Sequence, residues 1–317
     1  MQNIYRMKNG VINVYKEEGM TSFQVVYRIR KITGEQKVGH TGTLDPDACG
    51  VLPVCIGKAT KLVDFLMDSD KQYKAVMILG LATDTQDISG KVLASADEIE
   101  IKDKVLSKFK DGDFKSNIIK ALDTFKGDIE QLPPMYSALK VNGVKLVDAA
   151  RRGKEIERKS RIIHISDIKD IEISDDYKHI SFTVDCSKGT YIRTLCEDIG
   201  EFFDLPACME SLERTRTSSL DTYTSLTLSK IEEFNEKGIL EDFIIPTDYF
   251  LDKYPKAYVK DEAVKKLIYG NWLGCDEVEA KIVNNQTYRM YDNREKFYAL
   301  YKFDDKDNYF KCEKMFV

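Results

Sequence analysis

An α+β fold with one central sheet, followed by a small β-rich domain, is predicted by three observations on this sequence. Strand-like and helix-like segments follow one another in irregular order up to about residue 247, which suits a single α+β sheet better than repeated βαβ units. No Gly-x-Gly-x-x-Gly or Walker-type run is present to support a nucleotide-cofactor fold. Past residue 247 the pattern turns to short strands separated by polar breaks. A chain of 317 residues can hold a large core and two domains.

The elements follow from local pattern. Val11 to Lys16 reads as a short strand. Thr21 or Ser22 caps a helix whose apolar residues Val25, Val26, Ile29 and Ile32 recur at helical spacing, and Gly34 ends it. Val51 to Ile56 reads as a buried strand, Ala59 to Met67 as a helix and Tyr73 to Leu79 as a strand. Residues 96–125 are charged with periodic apolar sites and predict helices. Gln131 to Tyr136, with two prolines, is rigid and extended. Strands follow at Arg161 to Ile168, Asp170 to Ile173 and His179 to Asp185, then a helix within Thr190 to Phe203. In the tail, Ala280 to Val283, Thr287 to Tyr291 and Phe297 to Phe303 read as strands, set apart by Asn284-Asn285 and by Asp304 to Asp307.

Composition narrows the class. Hydrophobic residues make up 43% and charged residues 32%, as in soluble globular proteins, and no apolar run is long enough to cross a bilayer. Met1 to Gly10 lacks the apolar segment of a secretory signal, so the cytoplasm is the expected compartment. Seven cysteines without C-x-x-C spacing suit reduced, buried thiols, and the three histidines, His40, His164 and His179, give no metal-ligand pattern. The net charge of −5 conceals a basic stretch: residues 136–165 carry eight lysines and arginines against three acids. Lys140, Arg152 and Lys154 belong to it, and it reads either as a solvated face or as a phosphate-binding surface.

The strongest chemical signal is Gly39-His40-Thr41-Gly42-Thr43-Leu44-Asp45-Pro46-Asp47-Ala48-Cys49-Gly50-Val51-Leu52-Pro53. It fixes a carboxylate in a glycine-framed turn beside a bulky apolar residue, and Pro46 biases Asp45 away from helix. Asp45 is then either an aimed functional group or the acceptor of an ordinary Asx turn. Arg193, early in a predicted helix, can reach Asp45 and hold it ionised with a guanidinium fork, or can serve a structural ion pair or a phosphate. Tyr73 faces either core or cleft. His40 is a phosphate contact or a satisfied turn histidine, and Lys16 a phosphate ligand or plain surface.

These residues resemble the bacterial tRNA pseudouridine-55 synthases, the B-type synthases that modify the T-loop. The Asp45 run looks like that family's signature. Further matches arrive in family order: Gly19-Met20-Thr21-Ser22, Tyr73 with Gly80 and Thr83-Asp84-Thr85-Gln86-Asp87, Pro133-Pro134-Met135-Tyr136-Ser137-Ala138-Leu139-Lys140, and Ser187-Lys188-Gly189-Thr190-Tyr191-Ile192-Arg193. The resemblance implies a pseudouridine synthase catalytic domain over residues 1–247, with a mixed, mainly antiparallel sheet flanked by helices and an RNA-binding insertion near 96–160. It implies a small PUA-like RNA-binding domain over 248–317, which would grip the acceptor end of tRNA.

The same resemblance implies an isomerase that flips a uridine, cleaves its N1–C1′ bond, turns the base and rejoins it through C5. Asp45 matches the essential aspartate, Arg193 the arginine paired with it, and Tyr73 the tyrosine stacked on the base and concerned with the C5 proton. His40 matches a histidine of T-loop entry, Lys16 a lysine near the site, and Leu212 an apolar wall of the base pocket. Lys188, Tyr191, Lys140, Arg152 and Lys154 are the further substrate-binding candidates. The family uses no metal and no organic cofactor. The implied partner is tRNA, with no membrane, no obligate protein partner and a monomeric state.

The chain departs from the family pattern at Tyr15-Lys16-Glu17, where Asp-Lys-Pro is usual, and at Thr217-Ser218-Ser219, where a glycine is lost. Two other readings remain open on the sequence. One is a non-catalytic RNA-binding protein or tRNA folding chaperone on the same scaffold; the other is a synthase acting on a different RNA.

Overall fold

The computed structural model describes residues 8–317. The expectation of no secretory signal in Met1 to Gly10 therefore lies largely outside the described residues. The first half of the chain supplies strands β1 (Gly10–Lys16), β2 (Val38–His40), β3 (Cys49–Ile56) and β4 (Lys71–Leu79). A hairpin of β5 (Leu81–Thr83) and β6 (Val92–Ser95) follows, then β7 (Gly127–Gln131) and a second small hairpin, β8 (Lys140–Val141) with β9 (Val144–Lys145). Strands β10 (Arg161–Ile173), β11 (His179–Cys186), β12 (Ala207–Thr217) and β13 (Leu220–Asp221) complete this part.

Nine of these strands form one sheet in the order β1-β3-β12-β4-β11-β10-β7, with β2 on β3 and β13 on β12. Every pairing in it is antiparallel except the short parallel contact of β12 with β3, so the sheet is mixed and mainly antiparallel. The free edge of β1 is covered by bridges from Val11 to Ile245 and from Val14 to Leu226.

Helices cover the sheet where the sequence asks for them. Helix α1 (Ser22–Thr33) starts with a capping box, in which Thr21 accepts from the Gln24 amide and Gln24 reaches back to the Thr21 amide. It ends at Gly34, whose φ of 75° suits the left-handed cap. Its buried face is Val25, Val26 and Ile29, while Ile32, the fourth residue of the predicted stripe, is half-buried. Residues 57–67 depart from the single helix expected. Gly57–Leu62 is a 3-10 turn tied by Thr60 Oγ1 to the Gly57 carbonyl, and only α2 (Val63–Met67) is α-helical. Helices α3 (Glu98–Ser107), α4 (Phe114–Thr124), α5 (Leu146–Ala150), α6 (Ile192–Phe202) and α7 (Leu228–Glu236) follow.

Two strand readings are corrected. The segments 161–168 and 170–173 form one strand, interrupted by a bulge where Asp170 takes a φ of 53°. Residues 280–283 lie outside the strands, after Val278–Glu279. There the Tyr288 hydroxyl accepts from the Val283 amide at 2.7 Å and donates to the Lys281 carbonyl at 2.8 Å, taking partners that a ladder would otherwise use.

The tail forms a second sheet of six strands: β14 (Lys256–Val259), β15 (Leu273–Gly274), β16 (Val278–Glu279), β17 (Thr287–Tyr291), β18 (Phe297–Asp304) and β19 (Tyr309–Met315). The order is β15-β19-β18-β17-β14-β16, and one short helix, α8 (Val264–Ile268), lies among these strands in sequence. Its core centres on Tyr288, Met290, Tyr301 and Phe310. An apolar cluster including Val51, Cys55, Leu66, Leu251, Leu300 and Phe316 joins the two sheets. Among the described residues no helix is long and apolar enough to cross a membrane.

Candidate active site

The loop between β2 and β3 holds Asp45, and its shape is fixed from three directions. Leu44 is buried, and its amide donates to Ser22 Oγ at 2.9 Å while Ser22 Oγ donates back to its carbonyl at 3.2 Å. Lys16 reaches under the loop, donating to the carbonyls of Ala48 at 2.6 Å, Pro46 at 3.0 Å and Glu17 at 3.1 Å. Arg214 donates from Nε to the Val51 carbonyl at 2.7 Å and from Nη2 to the Gly42 carbonyl at 3.3 Å. Gly50, at φ 106°, lets the Arg214 backbone pass so closely that a Cβ there would collide with it. Anchors of this kind leave the Asp45 carboxyl half-exposed at the mouth of a cavity while the apolar Leu44 locks the backbone.

Arg193 comes to Asp45 from the first turn of α6. Its side chain is 5% exposed, and Nε lies 3.1 Å from Asp45 Oδ2. The guanidinium does not fork onto Asp45 as the sequence reading supposed. Nη1 turns instead to Asp87 Oδ2 at 3.4 Å and the Thr85 carbonyl at 3.1 Å, and Nη2 to the Tyr136 carbonyl at 2.8 Å. Three segments, those of Asp45, Thr85–Asp87 and Tyr136, thereby converge on one cation. Burial pushes the Asp45 carboxyl above its ordinary value, Arg193 pulls it back, and Asp87 and Asp47 raise it further.

The cavity, of about 270 Å³, is lined by Asp45, Tyr73, Leu212, Tyr191, Arg193 and Arg214, among others. Strand pairing explains the wall. Tyr73 on β4 lies directly across from Arg214 on β12, and Leu212 stands two residues before Arg214 on the same face. Tyr73 is 9% exposed, so it belongs to the core margin and to the cleft at once; burial raises its phenol. The Tyr191 ring carries the Arg161 guanidinium 4.9 Å from its centroid. Thr41 Oγ1 and Ser137 Oγ, both buried in the cavity wall, have no hydrogen-bond partner among the described residues.

Other candidates lie elsewhere. Lys16 is fully buried with its ammonium held by three carbonyls, so it braces the Asp45 loop and offers no free group to a ligand. His40, on β2, is half-buried and does not line the cavity; Nδ1 accepts from the Gly42 amide at 3.3 Å, and burial lowers its pKa. Lys188 is exposed and paired with Asp68. Lys140, Arg152 and Lys154 are exposed, outside the cavity lining.

Arg214, Lys71 and Asp87 were not singled out by sequence reasoning. The signal for Arg214 was parity: in an alternating strand a basic residue two places after the buried Leu212 must share its face. Lys71 stands in the same relation to Tyr73.

A carboxyl group paired with a buried arginine, beside an aromatic and an aliphatic wall, is suited to nucleophilic or electrostatic work on a flat, polar ring. Comparison with known proteins agrees in class. Residues 30–192 match the TruB family pseudouridylate synthase N-terminal domain, and residues 193–252 match the tRNA pseudouridylate synthase B C-terminal domain. The chain belongs to the TruB family of pseudouridylate synthases.

Among its relatives, tRNA pseudouridine synthase B of Clostridium acetobutylicum is 46% identical over 292 residues, covering 92% of this chain and 94% of the relative. The protein of that name from Clostridium perfringens is 43% identical, covering 98% and 99%. Among solved structures, the chain is similar to one in a Cbf5-Nop10-Gar1 complex, at 28% identity and a TM-score of 0.68, covering 98% of this chain and 85% of that one. The catalytic sheet and the appended β-rich domain thus form a pseudouridine synthase fold.

Proposed function

We propose that this protein converts uridine 55 in the T-loop of tRNA to pseudouridine. The observation that carries the proposal is the Asp45–Arg193 contact of 3.1 Å at a cavity whose wall is Tyr73 and Leu212. Relatives bearing the name tRNA pseudouridine synthase B support the choice of tRNA.

The target base sits inside a folded loop and must be extruded to reach Asp45. Tyr73 stacks on it and Leu212 closes the opposite side. Asp45 acts on the sugar at C1′ as the N1–C1′ bond breaks, and the base turns within the cavity. C5 then bonds to C1′, the C5 proton leaves and N1 gains one, so the product is an isomer. Water is kept from the activated sugar by the apolar walls. His40 assists loop entry from beside the mouth, and Lys188 and Tyr191 hold the nucleotide's neighbours. The surface from Lys140 to Lys154, including Arg152, holds phosphates without reading sequence. The protein acts as a monomer of two domains, divided near residue 247, and the second steadies the acceptor end.

Unmodified tRNA carrying tritium at C5 of the T-loop uridine tests this reading. Wild-type protein releases tritium with no metal or cofactor added, and Asp45→Asn does not. Binding of tRNA without release by either protein would instead support the RNA-chaperone reading.

A further inference from the structure

The cavity wall holds more positive charge than the contact with Asp45 uses. Arg193 is matched by two carboxylates, those of Asp45 and Asp87. Arg214 and Lys71 are matched by none: among the described residues no acid lies within ion-pairing distance of either. Arg214 is 1% exposed and Lys71 6% exposed. Their hydrogen bonds run to carbonyls, those of Val51 and Gly42 for Arg214 and those of Met67 and Ser69 for Lys71. Carbonyl dipoles solvate a cation and leave its charge in place. Burying such a charge is costly, and the cost is offset when an anion arrives. The two cations also sense each other, since Arg214 and burial together push the Lys71 ammonium down to about 8.

Their position is specific. Lys71 and Tyr73 stand two apart on β4, Arg214 faces Tyr73 across the strands, and Leu212 precedes it. Both cations therefore lie beside Tyr73 and Leu212 in the cavity lining, with almost none of their own surface exposed. On the isomerisation reading, which this inference presupposes, breaking N1–C1′ leaves the bonding pair on the departing ring. The resulting uracil anion spreads its charge over N1, O2 and O4. It keeps that charge until C5 bonds to C1′, after which the C5 proton is lost and N1 is protonated.

We propose that Arg214 and Lys71 form a cationic floor that stabilises the detached uracil anion while it turns. The floor would lower the barrier to glycosidic cleavage and hold the ring between cleavage and rejoining.

The test separates charge from shape. The protein is bound to a T-arm hairpin carrying an abasic ribose at the target position, then titrated with 5-nitrouracil, an anion at neutral pH, or with thymine, a neutral ring of similar size. Wild-type protein is expected to bind the anion about tenfold or more tightly than thymine. Lys71→Gln and Arg214→Gln each reduce that preference, read as the ratio of 5-nitrouracil to thymine affinity in the same variant, and Arg214→Lys retains most of it. Equal binding of the two rings by wild type overturns the proposal, as does a preference that survives in folded Lys71→Gln. Displacement of 5-nitrouracil by inorganic phosphate at comparable concentration also overturns it, in favour of a backbone-phosphate site. If Arg214→Gln fails to fold, the wild-type comparison and Lys71→Gln still decide. Tritium release from intact tRNA reports separately on the isomerisation reading, so failure of one is distinguishable from failure of the other.

Discussion

Arg193 Nε lies 3.1 Å from Asp45 Oδ2, and the same guanidinium reaches Asp87 Oδ2 at 3.4 Å. The arginine is thus shared between an acid that faces the cavity and one that anchors it from behind. In the proposed reaction Asp45 works as a carboxylate, and burial raises its pKa while Arg193 lowers it. Activity accordingly falls as pH drops through that raised value. Replacing Arg193 with Gln removes the opposing positive charge, so the acid limb moves to higher pH and the plateau drops by about a hundredfold or more. Asp87→Asn removes a like charge from Asp45 and moves the limb to lower pH, yet still lowers the plateau because Arg193 loses its anchor. Single-turnover rates between mildly acidic and neutral pH check both shifts. Parallel movement of the two limbs would contradict this arrangement.

Lys16 offers a second test, because the structure gives it a job unlike a phosphate ligand's. Its ammonium ties the carbonyls of Glu17, Pro46 and Ala48 beneath the Asp45 loop. Lys16→Met strands those carbonyls and is expected to cost about 2–4 kcal/mol of stability, measured by urea unfolding. Turnover falls with the loosened loop, and tRNA affinity stays within a few-fold. Full stability with weakened tRNA binding would restore the ligand reading.

Much of the catalytic half was legible because its signals are local. The capping residues Thr21 and Gln24, the stripe Val25, Val26 and Ile29, and the stop at Gly34 each lie within one helix, so propensity and periodicity sufficed. The Asp45 turn was legible for the same reason. The partnership of Asp45 with Arg193 was only one of several readings, since it joins segments remote in sequence, and the family resemblance was what assigned it. Arg193's division between two acids, and the pairing of Tyr73 with Arg214, depend on strand register and on the position of the Thr85–Asp87 turn. In the tail, Ala280 to Val283 has strand composition, but the Tyr288 hydroxyl satisfies its backbone and holds it outside the ladder. A tertiary contact there overrides local preference.

The exposed basic surface makes a third prediction. Arg152 and Lys154 lie after α5 with no acid within ion-pairing distance among the described residues, so they are free to meet phosphates. The double variant Arg152→Ala, Lys154→Ala should weaken tRNA binding and reduce the slope of log K against log salt by about 1–2. Single-turnover chemistry at saturating protein should be unchanged. A slope equal to that of wild type would make this a solvated face.

Lys71 ties the charge of the cavity to the stability of the fold. Its pKa is about 8 in the folded protein, against an ordinary value of 10.5, with burial the first cause and Arg214 the second. Between those values the unfolded chain still holds a proton that the folded chain has released. The penalty for burying the ammonium is therefore fully present below pH 8 and is shed as pH rises toward 10.5. Thiols and phenols titrate in the same range, so the wild-type curve alone is a mixture. Comparison with Lys71→Met cancels all of them but the Cys186 thiol, which feels the Lys71 charge and is replaced by Ser in both proteins. The stability of wild type relative to Lys71→Met should climb across that window, by about 3 kcal/mol at most. Urea unfolding of both proteins at several pH values measures the climb. A difference that stays flat would mean that the Lys71 ammonium carries no burial penalty in the folded protein, so its charge at the cavity floor is screened rather than desolvated.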